Sequence, residues 1–306
     1  MSVAVMTTKP TPEFRAGGTD FSERRRSGVS QGMLIDISET GYKAISWNAD
    51  GAAQIGALTS IATIAADARI LAAYPGVAAS AQGLATPQVR QVATLGGNLA
   101  QRSRCWYFRN PHINCLKKTG SACPARAGNH LYGVAFDIGP CVAPHPSTMA
   151  AALLGYDARI NTDCRGGLSI ADLLGDGSNG RADHALAQGE VITKITLPPP
   201  LAAERATYKR AISRACAEWP LVELCARAVV ADGLFKFVRL TAGGVAPVPL
   251  RLSAVEAALQ NKATNAAAIA DAAKLAATGA RPLPMTAYKL DLLEGLVRDL
   301  MERLVG

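Results

Sequence analysis

Aromatic side chains make up only 5% of this 306-residue chain and charged ones only 18%. A nucleic-acid reader concentrates Lys and Arg on one face and interleaves them with rings. Here the one dense basic run is Arg24–Arg25–Arg26, so the net charge of +8 reads as a solvated surface or one facing acidic protein partners. Long hydrophobic runs are also missing. The Ala-rich stretches at Ala62–Ala81 and Ala263–Ala277 are broken by Asp, Arg, Lys, Tyr and Pro, short of the ~20 apolar residues a membrane helix needs. The opening MSVAVMTTKPTPEF lacks a basic region followed by an apolar core, so the expected location is cytoplasmic, or periplasmic by co-export on a partner's signal. With 49% hydrophobic residues there is ample material for packed cores, and the length suits two domains.

Seven cysteines, an odd number in a long chain, argue against a disulfide framework. Four of them, Cys105, Cys115, Cys123 and Cys141, fall in one stretch with no sustained period of 2 or 3.6. A loop that long is uncommon in a compact domain unless something else organises it. Elsewhere MLIDIS and QIGAL read as strands, and Thr59 or Ser60 caps a helix through Ala68. Val77–Leu84 reads as a second short helix, and Ser147 caps one over Met149–Tyr156, followed by a strand at Ala158–Asn161. GEVITKITLPPP is a strand running into a proline stop, and a domain boundary is expected near Pro198–Ala203. Beyond it come strands at Thr207–Ile212, Ala226–Ala231 and Phe235–Ala242, then helices at Ser253–Leu259, Asn265–Ala277 and Thr286–Leu304. The class is α+β.

Two glycine pairs, in AGGTD and TLGGN, share a chemistry: glycine permits positive φ and removes Cβ, so backbone N–H groups can converge on a phosphate. Neither is a dinucleotide-fold G-x-G-x-x-G nor a P-loop. Two such turns suit a ligand with two phosphates.

RAGGTDF, IGALTSIATIA, QVRQVATLGGNL, HPSTMAAALLGYDARI, GEVITKITLP and LTAGGVAPVPLR occur in order from about Phe14 to Ser253. In this the chain resembles the FAD-binding medium subunit of the xanthine dehydrogenase and aldehyde oxidoreductase family of molybdenum hydroxylases. The resemblance implies a two-lobed FAD-binding domain of the vanillyl-alcohol-oxidase-like kind over 1–200. It also implies an inserted loop at 102–143 and a small α+β domain over 201–306 like the C-terminal domain of CO dehydrogenase flavoproteins. It implies FAD contacts at Ala16, Gly17, Gly18, Thr19 and Asp20, and at Thr94, Leu95, Gly96, Gly97 and Asn98.

The cysteines are spaced C-x9-C-x7-C-x17-C. Four thiolates fit zinc or a [4Fe-4S] cluster, but paired C-x2–4-C hairpins, usual for structural zinc, are absent. The loop is similar to that of the bacterial aldehyde oxidoreductase flavin subunits, which carry [4Fe-4S] beside FAD. On that basis Cys105, Cys115, Cys123 and Cys141 are the expected iron ligands, with Arg102, Arg104, Arg109, Lys117 and Lys118 offsetting thiolate charge or lying solvated. Structural thiols remain an alternative. Cys164, Cys216 and Cys225 read as buried or half-buried small residues. His112 and His130 lie in the loop, His145 shapes the turn before Ser147, and His184 reads as surface.

Arg210, beside Lys209, falls in register with a family cation. Two departures stand out, the first being Thr148 in the place of a family Asp that contacts the flavin. The second is the segment before Gly17, shorter than in relatives, for which a neighbouring subunit is expected to cover the sheet edge. The implied role is an electron-transfer subunit that accepts electrons from [2Fe-2S] clusters onto FAD and passes them to an external acceptor. Its partners would be a large molybdenum-cofactor subunit and a small two-[2Fe-2S] subunit, in a heterotrimer or its dimer. A free-standing FAD oxidoreductase and a zinc-stabilised binding module are the alternatives.

Overall fold

The computed structural model describes residues 11–213 and 218–306; Cys216 lies outside them. The first unit is β1 (Pro12–Arg15), α1 (Phe21–Arg26) and β2 (Met33–Asp36), with β1 and β2 paired in parallel. A parallel pair needs a crossover. The Ala16–Asp20 loop and α1 supply it, turning at Gly18, whose φ is +72°.

β3 (Ile45–Trp47) and β4 (Ala53–Gly56) then form an antiparallel pair. A helical run follows: α2 (Ile61–Ala66), α3 (Ala68–Ala73), α4 (Pro75–Gly83), α5 (Pro87–Val92) and α6 (Leu95–Leu99). Each start has a local cause. Ser60, Asp67, Thr86 and Thr94 accept backbone N–H groups as N-caps, and Pro75 and Pro87 sit in first turns, where a missing N–H is no loss. The helix expected at Val77 therefore begins at Pro75. The glycine pair expected as a turn in TLGGN lies inside α6.

Residues 102–143 contain α7 (Trp106–Arg109) and 3₁₀ turns at Leu116–Lys118 and Pro124–Arg126, gathered on a small core of Ala125, Val134 and Val142. After α8 (Thr148–Gly155) come β5 (Arg159–Thr162), β6 (Leu168–Ser169), α9 (Ile170–Leu174) and β7 (Ile192–Leu197). The five-stranded antiparallel sheet has the order β3-β4-β7-β5-β6. Its row Ile55, Ile195, Ile160 is fully buried against the helices. β3, β6 and α9 were not expected from the sequence, being too short to show a period.

β8 (Glu204–Ala211), β9 (Val222–Ala231), β10 (Leu234–Gly243) and β11 (Leu250–Arg251) make a second antiparallel sheet, order β11-β10-β9-β8. α10 (Ser253–Leu259), α11 (Ala266–Ala273) and α12 (Tyr288–Val305) follow. Along β9, Val222, Leu224, Ala226 and Ala228 enter the core shared with α12. The alternate residues face the other way. Glu223 meets Thr148, the Cys225 thiol meets the Gly76 carbonyl, and Arg227 donates to the Gly155 carbonyl. The sheet is thus clad on both faces, by α12 on one and by α4 and α8 on the other. β9 begins at Val222, earlier than the expected Ala226, because its polar positions are interior ones.

Candidate functional site

The two glycine pairs meet. A Cβ at Gly17 would fall 1.7 Å from the Val92 carbonyl oxygen, and one at Gly96 would fall 2.8 Å from the Ala57 Cβ. Glycine is needed at both places for close approach, whereas positive φ is used at Gly18 alone of the four paired glycines. The N–H groups also divide. Those of Leu95, Gly96, Gly97 and Asn98 donate to Thr59 O, Ala57 O, Thr94 Oγ1 and Thr94 O, so α6 has none of these to spare for an anion. Among the described residues no hydrogen bond engages the N–H groups of Gly17, Gly18, Thr19 and Asp20. The first expected cradle thus keeps four consecutive open backbone donors, whereas those from Leu95 to Asn98 in the second are taken.

A cleft of about 440 Å³ runs between these segments, lined by Ala16 to Asp20, Thr94, Gly96, Gly97, Arg102 and the stretch from Leu186 to Ile192. Through Thr19, Asp20, Gly97 and Gln101 it continues into a narrower compartment of about 160 Å³, which reaches Asn98, Thr148, Arg210 and Trp219. Leu95, fully buried, belongs to the core under the cleft. Asn98 Oδ1 accepts from Ser147 Oγ at 2.7 Å and Met149 N at 3.3 Å, tying α6 to α8. Thr148 lines the compartment, but its hydroxyl is engaged from behind, donating to Glu223 Oε2 at 2.7 Å. Tyr208 donates to the same oxygen at 2.7 Å. Burial pushes the Glu223 carboxyl up, against the pull of those hydroxyls and of Arg210. Arg210 faces the compartment, while its neighbour Lys209 points away to Asp299 at 2.8 Å.

His184, expected on the surface, is half-buried and lines the cleft. Burial and then the Arg102 charge hold its imidazole toward the neutral form, and its buried Nδ1 has no partner among the described residues. Nothing local to LAQGE or RADHA signals this. His184 reaches the cleft because Asp183 beside it anchors to Lys117, 2.8 Å away, and to Arg102.

The basic residues of the cysteine loop mostly answer carboxylates rather than thiolates. Arg109 donates to Asp20 Oδ1 at 2.7 Å, Arg104 to Asp20 at 3.0 Å, and both pair with Glu23 of α1. Burial alone would raise the Asp20 carboxyl; Arg109, Arg24 and Arg104 outweigh it and keep it low. Lys118 is spent on the Asn110 carbonyl. The positive charges acting on thiols are Lys117, which favours the Cys141 thiolate, and Arg126, which senses Cys123 and Cys141 while forking onto Asp137 at 2.6 and 2.8 Å.

Cys115 and Cys141 are buried, and Cys105 and Cys123 half-buried. Cys123 and Cys141 influence each other: Cys141 draws the Cys123 thiol down, while Cys123 and burial push Cys141 up. Burial raises Cys105, and the charges of Cys123 and Cys115 raise it further. Cys105 thus senses both Cys123 and Cys115. Among the described residues, however, no three His, Cys, Asp or Glu side chains converge tightly enough for a single metal ion. His130 cannot add a ligand, because Nδ1 faces the Ala125 and Gly128 carbonyls at 3.1 and 3.0 Å and Nε2 accepts from Met285 N at 3.3 Å. His112 is exposed. Burial drives His145 down to about 4, and its Nδ1 accepts from Ser147 N. Cys225 is buried as expected, but Cys164 is exposed, on the turn after β5.

Residues 2–200 match the family of the FAD binding domain in molybdopterin dehydrogenase, and residues 206–304 that of the CO dehydrogenase flavoprotein C-terminal domain. The chain belongs to this molybdopterin dehydrogenase flavoprotein family: it is an FAD-binding subunit of the molybdenum hydroxylase class, and an oxidoreductase component. It is 33% identical over 262 residues to the aldehyde oxidoreductase FAD-binding subunit PaoB of Escherichia coli (strain K12), covering 83% of this chain and 81% of that protein. It is 22% identical over 267 residues to the xanthine dehydrogenase FAD-binding subunit of Escherichia coli O157:H7, covering 86% and 77%. The fold matches the structure of a Cu,Mo-CO dehydrogenase with a TM-score of 0.74 at 18% identity, over 96% of this chain and 89% of that one. Quinoline 2-oxidoreductase from Pseudomonas putida matches at 0.72 and 18%, with the same coverage. Among the described residues no helix is long and apolar enough to cross a membrane.

Proposed function

We propose that the Ala16–Asp20 loop binds the FAD diphosphate through its open N–H groups, with Thr94, Gly96 and Gly97 forming the facing wall. The isoalloxazine then lies in the narrow compartment near Asn98, Thr148 and Arg210. The observation that carries this is the continuity of the cleft from unengaged donors to that compartment. FAD, when bound, supplies one- and two-electron chemistry. The protein's part is to bind and orient it and to set the charge around it. Arg210 favours electron density on the ring, and Thr148, backed by Glu223, offers a hydroxyl oxygen where a carboxylate would repel that density.

Cys105, Cys115, Cys123 and Cys141 hold a [4Fe-4S] cluster in this reading. Their burial in one loop supports it, Cys115 and Cys141 being buried and Cys105 and Cys123 half-buried, as does the charge of Cys123, which raises both Cys105 and Cys141. A single zinc ion at about 2.3 Å from each sulfur would need a tighter convergence than these side chains have. Division at about residue 200 gives an FAD-binding part and a C-terminal part. Partners of the large molybdenum-cofactor and small two-[2Fe-2S] kind would deliver electrons, and an external acceptor would remove them. The relatives' names, which make each a subunit, support this over a free-standing oxidase.

Anaerobic purification of the chain with flavin, iron, sulfide and zinc analysis tests the reading. One FAD and about four iron and four sulfide per chain are expected. Cys123→Ser lowers iron to background while FAD stays near one per chain. A colourless, zinc-containing wild type ends the cluster assignment.

A further inference from the structure

This aromatic-poor chain leaves two of its three tryptophans about half exposed, Trp219 at 45% and Trp106 at 49%, and Tyr132 at 48%. All three line one cavity of about 690 Å³ between the cysteine loop and the start of β9. The Trp106 and Tyr132 rings meet edge to face with centroids 5.8 Å apart, and the Arg104 guanidinium lies over Trp219 at 4.3 Å. Rings left in water forgo the burial free energy that drives them into cores elsewhere, and flat walls of this kind suit a flat guest.

Lys289 of α12 contributes to the same cavity. Its Nζ donates to the Gly244 carbonyl at 2.7 Å and to that of Tyr132 at 3.4 Å, so in the ammonium form one N–H donor of three remains for a guest. Burial drives this amine down to about 7. The cavity shares Arg104, Glu218, Trp219 and Pro220 with the compartment beside Thr148 and Arg210, so a guest here lies next to whatever fills that compartment.

We propose that this cavity binds a planar aromatic carbonyl compound of the quinone class, flanked by Trp106 and Trp219, with one carbonyl oxygen accepting from Lys289. Its use as the electron acceptor's site rests on the FAD reading above. Reduction of a quinone to its hydroquinone takes two electrons and two protons, which the reduced cofactor carries as FADH₂ and gives up in returning to FAD.

Isothermal titration calorimetry of the full chain, with flavin content measured beforehand, tests the site. Menadione is the probe and methylnaphthalene, its hydrocarbon analogue, the control. Saturable one-site binding of menadione is expected, with methylnaphthalene about tenfold weaker or worse. Lys289→Met removes the donor while keeping an apolar stem, and Tyr132→Ala removes an exposed ring but not the carbonyl. Each should weaken menadione by about tenfold while the melting temperature stays within a few degrees. In the flavin-loaded chain, reoxidation by menadione after dithionite should slow in both variants while reoxidation by ferricyanide does not. No saturable binding, equal affinity for the hydrocarbon, or binding indifferent to both variants overturns the proposal. A flavin-free chain that binds menadione in the variant-sensitive way keeps the site and instead sinks the FAD reading.

Discussion

At Gly17 a single methyl group decides whether the cleft can close. Its Cβ would sit inside the Val92 carbonyl, so Gly17→Ala must push the β1–α1 loop off α5. We expect a loss of about 1–3 kcal/mol in urea unfolding, and a chain purified with well under one FAD. Gly295→Ala is the control: nothing lies within 4 Å of the added atom in α12, and the change should stabilise by about 0.5–1 kcal/mol. The glycines could be found in the sequence because pairs beside Thr and Asn are locally conspicuous. Their separate tasks could not, since crowding at Gly17 and Gly96 comes from Val92 and Ala57, which no spacing rule places there. His184 and Glu223 were hidden for the same reason, one brought to the cleft by an anchor next to it and the other aimed inward by strand alternation.

The cysteine loop is held in place by ion pairs as much as by its small core. Asp183, with 5% of its side chain exposed, joins the Gly177–Glu190 stretch to Lys117 and Arg102. Burial alone would raise its carboxyl, but the Arg102 and Lys117 charges prevail and bring it from 3.8 to about 2. A carboxylate lowered in the fold contributes stability that is present above its unfolded value and is lost as pH falls through the folded one. Stability should therefore drop by about 2 kcal/mol between roughly pH 4 and pH 2 on this account, and Asp183→Asn should remove that segment of the pH–stability curve, as followed by near-UV circular dichroism. Elements with clear periods, such as α8, α10, α12 and β7, were legible from the sequence. The three-residue β3 and two-residue β6 were not, because they are held by register with β4 and β5 rather than by any pattern of their own.

Across the whole molecule, the first 200 residues and the C-terminal sheet meet through a polar seam. Arg227 lies 3.6 Å over the Tyr156 ring, forks onto Glu204 at 2.7 and 3.0 Å, and donates to the Gly155 carbonyl. Tyr156 donates to Glu204 at 2.6 Å. With the two ion-pair side chains only 7% and 2% exposed, Glu204→Gln leaves a buried guanidinium short of its charge partner. We expect a loss of about 3–5 kcal/mol, against a near-neutral result for a Glu204→Leu, Arg227→Met double variant, both read from urea midpoints. The order of motifs along the chain pointed to the α+β architecture. It did not reveal the seam, since Glu223 and Arg227 look like exterior residues until a second layer is set against them. The doubly covered sheet also sets a timetable for synthesis. α4 and α8 leave the ribosome before β8 to β10 exist to cover them, and at about 5–20 residues per second that interval lasts several seconds. Through it, the Gly76 and Gly155 carbonyls and the Thr148 hydroxyl, later taken by Cys225, Arg227 and Glu223, are left to water.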